Sequence, residues 1–353
     1  MRTEKTVAGN RQHILPKFLL KGFASHVDGD KIFTWVYRKN AEPFQTTIEN
    51  VSVEKYFYGR QGELSADDEI TKLESGYADL VNELRDAKDS ARITDRRLPE
   101  FVAHLAVRTK HVRQFFRTSA EFVVVELEKY LGEPANFRRL LLRNPELISE
   151  ELGKVLDRFN LPIEQKEFLL GLVEYLGPMI VDEQMPEIQS MLGNLMAQIK
   201  PNIAKAVKDG HIRTLAKNPA PEPRAESYQK LNWIVKHVEE SLLMGDFGCL
   251  FEIDSDKKFK SLNDKDDRIL NIYLPVSAHT LVVGTPHTKI NDLHVSQINS
   301  SIAKCSFEYF VSAVAGDDLN VLSTSIGMQS DLLTKIEMDT LMAEILEDIH
   351  KQQ

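Results

Sequence analysis

Leu270-Asn271-Ile272-Tyr273-Leu274-Pro275-Val276-Ser277 and the following Ala278-His279-Thr280-Leu281-Val282-Val283 decide the fold class of this chain. The runs 270–274 and 280–283 are short, apolar and rich in β-branched or aromatic residues, which marks two strands. Parallel strands need a crossover of a dozen or more residues, so the few residues between these runs make them antiparallel. Cys249-Leu250-Phe251-Glu252-Ile253, closed by Asp254, supplies a third strand of the same kind.

Outward from these strands the pattern is mostly helical. Residues 225–244 read as a helix closed by Gly245, and further helices are expected over 294–313 and 329–350. Pro219, Pro221 and Pro223 deny residues 216–226 regular hydrogen bonding and mark a linker or exposed crossover. From 134 to 210, Asn144-Pro145, Asn160-Leu161-Pro162, Gly177-Pro178 and Gly210 punctuate a series of helices. Ile70, Leu73, Tyr77, Leu80, Val81 and Leu84 recur at helical spacing after Ser65, a capping residue with Asp68 three positions on. The next helix starts near Leu98-Pro99 and runs through Phe116, toward Leu131. At the N-terminus Asp28-Gly29 is a turn signal before Lys31-Ile32-Phe33-Thr34-Trp35-Val36-Tyr37, a strand, with a second extended piece over 44–48.

The expected fold class is therefore α+β, predominantly helical, with an N-terminal β/extended segment, a central helical bundle and short antiparallel strands near the C-terminal third. Three parts are expected: 1–216, the 217–226 linker or crossover, and 227–353, the last able to pack into the same domain as the first.

Composition narrows the class of function. The 353 residues are 42% hydrophobic and 27% charged, enough for a core or two. No apolar run approaches the about eighteen residues needed to cross a bilayer, and MRTEKTVAGNRQH has no signal-peptide stretch, so a cytoplasmic protein without membrane contact is expected. Cys249 and Cys305 are too few for a disulfide framework and too isolated for a zinc site, and are read as reduced core thiols. A net charge of −9 argues against non-specific coating of nucleic acid or anionic lipid. Charge is uneven, however: residues 1–39 hold eight Lys/Arg against three Asp/Glu, and 92–117 seven against two. Such segments either pair with acidic stretches such as 63–83 or form a local anion site.

The helix over 98–116 carries the most chemical information. Leu98, Val102, Leu105, Val112 and Phe116 form one apolar stripe, with Phe101, His104, Arg108, His111 and Phe115 immediately beside it. Arg108 thus points inward, where a guanidinium must meet a carboxylate, carbonyls or an anionic ligand. Two readings stand: an internal ion pair with Glu74, or an Arg-lined pocket with His104 and His111 at its rim. The two histidines lack the four-residue spacing of a helical zinc motif. His13 follows a basic stretch and precedes Pro16, which fixes the local backbone, so it is read either as a core hydrogen-bonding group or as a catalytic base and ligand contact. Asp246, Glu252, Asp254 and Asp256-Lys257-Lys258 invite a metal-dependent nuclease reading, in which carboxylates hold Mg²⁺ and lysine orients water; Asp246, Asp254 and Asp256 are the metal candidates. A solvated hairpin loop is the competing reading of the same tripeptide. There is no Gly-rich phosphate loop, no Gly-x-Ser-x-Gly and no Cys–His pairing, so serine or cysteine hydrolase chemistry has no support.

Gln12-His13-Ile14-Leu15-Pro16-Lys17-Phe18-Leu19-Leu20-Lys21-Gly22-Phe23 resembles the opening of the bacterial family catalogued as domain of unknown function 4238. Val51-Ser52-Val53-Glu54-Lys55-Tyr56-Phe57-Tyr58 resembles its second block, and the helix from Phe101 to Arg108-Thr109 its helix with an Arg-Thr pair. The helix from Ile298-Asn299 to Phe310, after a Leu274-Pro275 strand, resembles its C-terminal block. Its Thr-Ser-Asp-Asn-Pro-like segment has a counterpart in Phe251-Glu252-Ile253-Asp254-Ser255-Asp256, which lacks the proline. The resemblance implies a relative and no activity.

The expectation is a bacterial binding or sensing protein, in a setting such as stress or phage defence, with an Arg/His anion pocket that takes a protein partner or a small anionic ligand and requires no cofactor. The alternative is a metal-assisted hydrolase or nuclease acting on a phosphate-containing substrate, with Mg²⁺ as cofactor.

Overall fold

Leu274 pairs with Val282 and Tyr273 with Val283 across an antiparallel hairpin of strands Ile269–Ser277 and Thr280–Thr285, in a computed structural model that describes residues 11–60, 63–143, 154, 162–256, 258–290 and 293–351. Leu250–Ile253 and Phe259–Lys260 extend this hairpin on one side. Asn232–His237 and Arg92–Ile93 extend it on the other, completing a six-stranded antiparallel sheet. Leu250, Phe251 and Ile253 are all buried. Apolar residues therefore occupy both faces of this strand, interrupted by Glu252.

A five-stranded sheet joins Lys31–Arg38 to His26–Asp28, Phe44–Thr47 and Tyr309–Ser312, the last also pairing with Met244–Gly245. A third sheet has two strands, Arg11–His13 and Val53–Lys55, with His13 opposite Val53. These three antiparallel sheets correct the expectation of a predominantly helical chain built on a helical bundle. The architecture is α+β, and sheet residues such as Val235, Leu250, Val283 and Phe310 share one apolar core with the helices Asp67–Asp86 and Arg97–Val107.

Two strands lie where helix was expected. The helix Glu222–Gln229 is short, with Pro223 tolerated in its first turn, and Asn232–His237 then enters the six-stranded sheet. Residues 294–313 likewise divide into the helix Val295–Cys305 and the strand Tyr309–Ser312. In both places a β-branched or aromatic trio, Trp233-Ile234-Val235 or Tyr309-Phe310-Val311, finds a strand on each side, and that pairing overrides helical spacing.

The helix expected over 98–116 breaks after Val107. Arg108 leaves helical geometry, and Thr109 Oγ1 accepts the Val112 N–H at 3.1 Å to start the helix Lys110–Gly132. Asp67–Asp86 buries its expected apolar positions and carries Asp67, Asp68 and Glu69 in its first turn, where the helix dipole favours them. Its Arg85 donates to the carbonyls of Val276, Phe18 and Leu19, tying helix to hairpin. Gly22 permits that closeness: a Cβ there would stand 2.2 Å from the Val276 carbonyl oxygen.

The chain forms two compact units. The first comprises Met1–Phe115 and Lys208–Leu332 and contains all three sheets; the second comprises Phe116–Val207 and Leu333–Gln353. The boundaries fall within the helices Lys110–Gly132 and Ile203–Lys217 and just before Lys335–Lys351, whereas 217–226 lies inside the first unit. The second unit is helical among its described residues, and Gly177-Pro178 does not interrupt its 37-residue helix Ile163–Ile199. Asn144-Pro145 lies outside the described residues. No described helix is long and apolar enough to cross a membrane.

Candidate functional site

Arg108 is 1% exposed, and the sequence-level demand that it meet a partner is fulfilled several times over. Its Nε donates to the Tyr58 hydroxyl at 2.8 Å and its Nη2 to the His13 carbonyl at 2.7 Å. Nη1 donates to Glu74 Oε1 and to His104 Nε2. The tautomer of His104 follows from its other nitrogen: Nδ1 lies 2.8 Å from the Pro219 carbonyl, which can only accept, so Nδ1 carries the proton. Burial works against the charge of Arg108, but Tyr58 and Glu74 outweigh it and hold its pKa above the ordinary value. Burial and the adjacent guanidinium keep His104 neutral.

The proposed anion-site residues are therefore only partly brought together. His104 bonds Arg108 directly, and His13 does so through its main chain. The His13 imidazole is pushed down to about 4 by burial and by Lys17, a poor proton acceptor near neutral pH. His111 stands apart from the Arg108 hydrogen bonds. Its Nδ1 is 3.0 Å from Ser261 Oγ and its ring stacks on Phe307, centroids 5.3 Å apart.

Two of the three metal candidates are engaged elsewhere. Asp246 accepts the backbone N–H groups of Phe307, Glu308 and Tyr309, at 2.9, 2.5 and 3.3 Å, which anchors the turn before a strand. Asp254 pairs with Arg268 at the surface, and Asp256 is exposed. Among the described residues no group of three or more His, Cys, Asp or Glu is placed to hold a metal. Cys249 and Cys305 are buried and form no disulfide.

A different acidic residue faces open space. Glu252 is 8% exposed and lies between the buried Phe251 and Ile253. In the strand register it sits opposite Asn271, so the two side chains share a face, and Tyr273 follows two residues on along that face. Glu252 Oε2 accepts from Tyr273 Oη at 2.6 Å and from Asn271 Nδ2 at 2.7 Å, while Oε1 lies 3.2 Å from Lys258 Nζ. Burial raises its carboxyl, but these three donors outweigh burial and hold it below the ordinary value. Glu252 is thus an ionised group fixed in one orientation.

The cavity beside it has a volume of about 290 Å³. His287, Lys289, His294 and Gln297 complete its polar wall. Phe259, Leu270, Ile290, Leu293 and Ile298 form an apolar wall opposite in character. An apolar wall with a few convergent polar groups is the usual composition of a small-molecule site. Sequence reading singled out Glu252 and Lys258 but not Asn271, Tyr273, His287, Lys289 or His294. Alternation along 270–274 places Asn271 and Tyr273 on one face, a usable signal; that they oppose Glu252 depends on strand order.

Three of the blocks that carry the family resemblance gather around Arg108 instead. Gln12–Phe23 supplies the His13 carbonyl, Val51–Tyr58 the Tyr58 hydroxyl, and the helix before Thr109 both His104 and Arg108. Gln12 adds bonds to Tyr58 N at 2.6 Å and to the Gly59 carbonyl at 3.0 Å. In the fourth block Asn299 accepts from Leu243 N and donates to the Ser241 carbonyl. These are structural duties. No curated protein and no solved structure matches the chain. The model of the family described as Protein of unknown function (DUF4238) matches residues 11–315, most of the 353, and the chain belongs to that family.

Proposed function

We propose that this protein binds a small organic anion with an apolar body in the cavity beside Glu252. One observation carries the reading: an ionised carboxylate that accepts three donors lines a cavity together with the exposed Lys258, His287, Lys289 and His294. The carboxylate fixes Lys258, and the cationic and imidazole groups around it favour a carboxylate or phosphate head over a neutral one. Phe259, Leu293 and Ile298 offer the body of the ligand a surface away from water, worth about 25 cal/mol per Å² buried. About 290 Å³ suits a ligand at the small end of the usual range of about 300–1,000 Å³.

Binding is the reading, because the Glu252 oxygens already accept three donors that hold the carboxylate in one orientation. The test is thermal unfolding with phenylacetate, hexanoate and acetate as probes. Phenylacetate and hexanoate raise Tm in a concentration-dependent way and acetate does not, since only a ligand bound to the native state stabilises it. Equal response to all three, or none, contradicts the reading.

A further inference from the structure

Arg92 and Arg96, at the start of the basic segment 92–117, take no part in the Arg108 centre. Both line a second cavity of about 300 Å³, at the edge of the six-stranded sheet, with Gln229, Asn232 and Trp233. We infer that this cavity is a separate site for a phosphate-bearing small molecule, its phosphate held between the two guanidinium groups.

The charge balance of the cavity supports this. Among the described residues the Arg96 side chain has no hydrogen bond or ion pair, and Arg92 spends one donor on the Thr288 carbonyl at 3.0 Å. The one carboxylate on the lining, Asp95, is taken by Arg97, whose Nε and Nη2 lie 2.9 and 2.6 Å from Oδ2. The Arg97 N–H adds a bond to Asp95 Oδ1 at 2.8 Å, and these contacts hold the carboxyl below its ordinary value. Asp95 is therefore neutralised by a residue that does not line the cavity, which leaves the guanidinium groups of Arg92 and Arg96 without a carboxylate partner among the described residues. Paired guanidinium forks match the oxygens of a phosphate dianion better than a single lysine would. The side-chain amides of Gln229 and Asn232, also without bonds among the described residues, supply donors and acceptors for the rest of the ligand. Pro99 and Leu231 supply an apolar surface.

The site stands independently of the Glu252 pocket, whose proposed ligand needs an apolar body. Inorganic phosphate has none and is the probe. The chain has two tryptophans, Trp35 and Trp233, so Trp35→Phe leaves Trp233, on the cavity wall, as the reporter. Phosphate at constant ionic strength should change its fluorescence saturably. Arg96→Gln, at an exposed position, should weaken that binding at least about tenfold, the effect of losing one charge-assisted contact. Glu252→Gln should leave it within a factor of about two, far below the tenfold that 1.4 kcal/mol would give. Should Trp35→Phe fail to fold, calorimetric titration of phosphate into the otherwise unchanged chain and its Arg96→Gln variant reads the same difference. Unchanged affinity in Arg96→Gln, a response that chloride reproduces, or a loss in Glu252→Gln alone would each overturn the assignment.

Discussion

Arg108 and Glu252 are both buried ions in the same sheet-bearing unit, yet they differ in what surrounds their partners. Around Arg108 every partner belongs to the chain: a carboxylate, a phenol, an imidazole and a carbonyl close around the guanidinium. Around Glu252 the three donors, Lys258, Asn271 and Tyr273, themselves line a cavity of about 290 Å³. A buried charge thus signals a ligand only where its hydrogen-bonding shell borders unfilled, chemically matched space. Otherwise it is a clasp between segments, here joining the Arg11–His13 strand, Tyr58 and two helices.

The harshest way to break this contrast is Arg108→Ala. It strands Glu74 and the His13 carbonyl in the interior, and the loss of one partner of a buried pair should cost about 3–5 kcal/mol in urea unfolding. Arg108→Lys should fall between, because lysine cannot serve three directions at once. Full stability in Arg108→Lys together with lost phenylacetate binding would move Arg108 from clasp to site.

Acid should sharpen the same contrast. His13, His111 and His211 are held down to about 4 and His104 well below its ordinary 6.5, burial being the main cause in each. They are neutral when folded and take up protons below about pH 6.5 when unfolded. The stability this provides is present above pH 6.5 and is lost as pH falls toward 4. Urea midpoints at pH 7, 5.5 and 4.5 should fall in that order, and His111→Gln should shallow the slope by up to one proton. A midpoint constant over this range would contradict neutral burial.

Much of this is legible in the sequence alone. The 270–283 hairpin is, because two apolar runs with so short a connection have one pairing to make. So is Arg108, whose helical phase places it inward and whose partner Glu74 lies on the neighbouring helix. The role of His13 is not, since it acts through a carbonyl whose direction is set by pairing with Val53. The strands Asn232–His237 and Tyr309–Ser312 are hidden because a trio of apolar residues fits a helix or a strand equally, and only neighbours decide. Glu252 stands out by composition, but its pocket unites residues from 252 to 298, and register and strand order, not spacing, assemble it.

Smaller effects test the pocket side. Tyr273→Phe removes one donor from Glu252 and should weaken phenylacetate binding about tenfold, while lowering stability by only about 1–2 kcal/mol. A stability loss as large as that of Arg108→Ala would make Glu252 a clasp too. Least of all, Asp254→Asn breaks only an exposed pair with Arg268 and should change stability by less than about 0.5 kcal/mol. A Mg²⁺-dependent rise in Tm that disappears in Asp254→Asn would instead revive the metal reading.

The most direct measurement is calorimetric titration of phenylacetate into two variants side by side, Lys289→Gln at the exposed mouth of the Glu252 cavity and Arg108→Lys in the clasp, at a temperature where both are folded. Lys289→Gln is expected to bind about tenfold more weakly than the parent chain and Arg108→Lys to match it. Weakened binding in Arg108→Lys with Lys289→Gln unchanged would contradict the account.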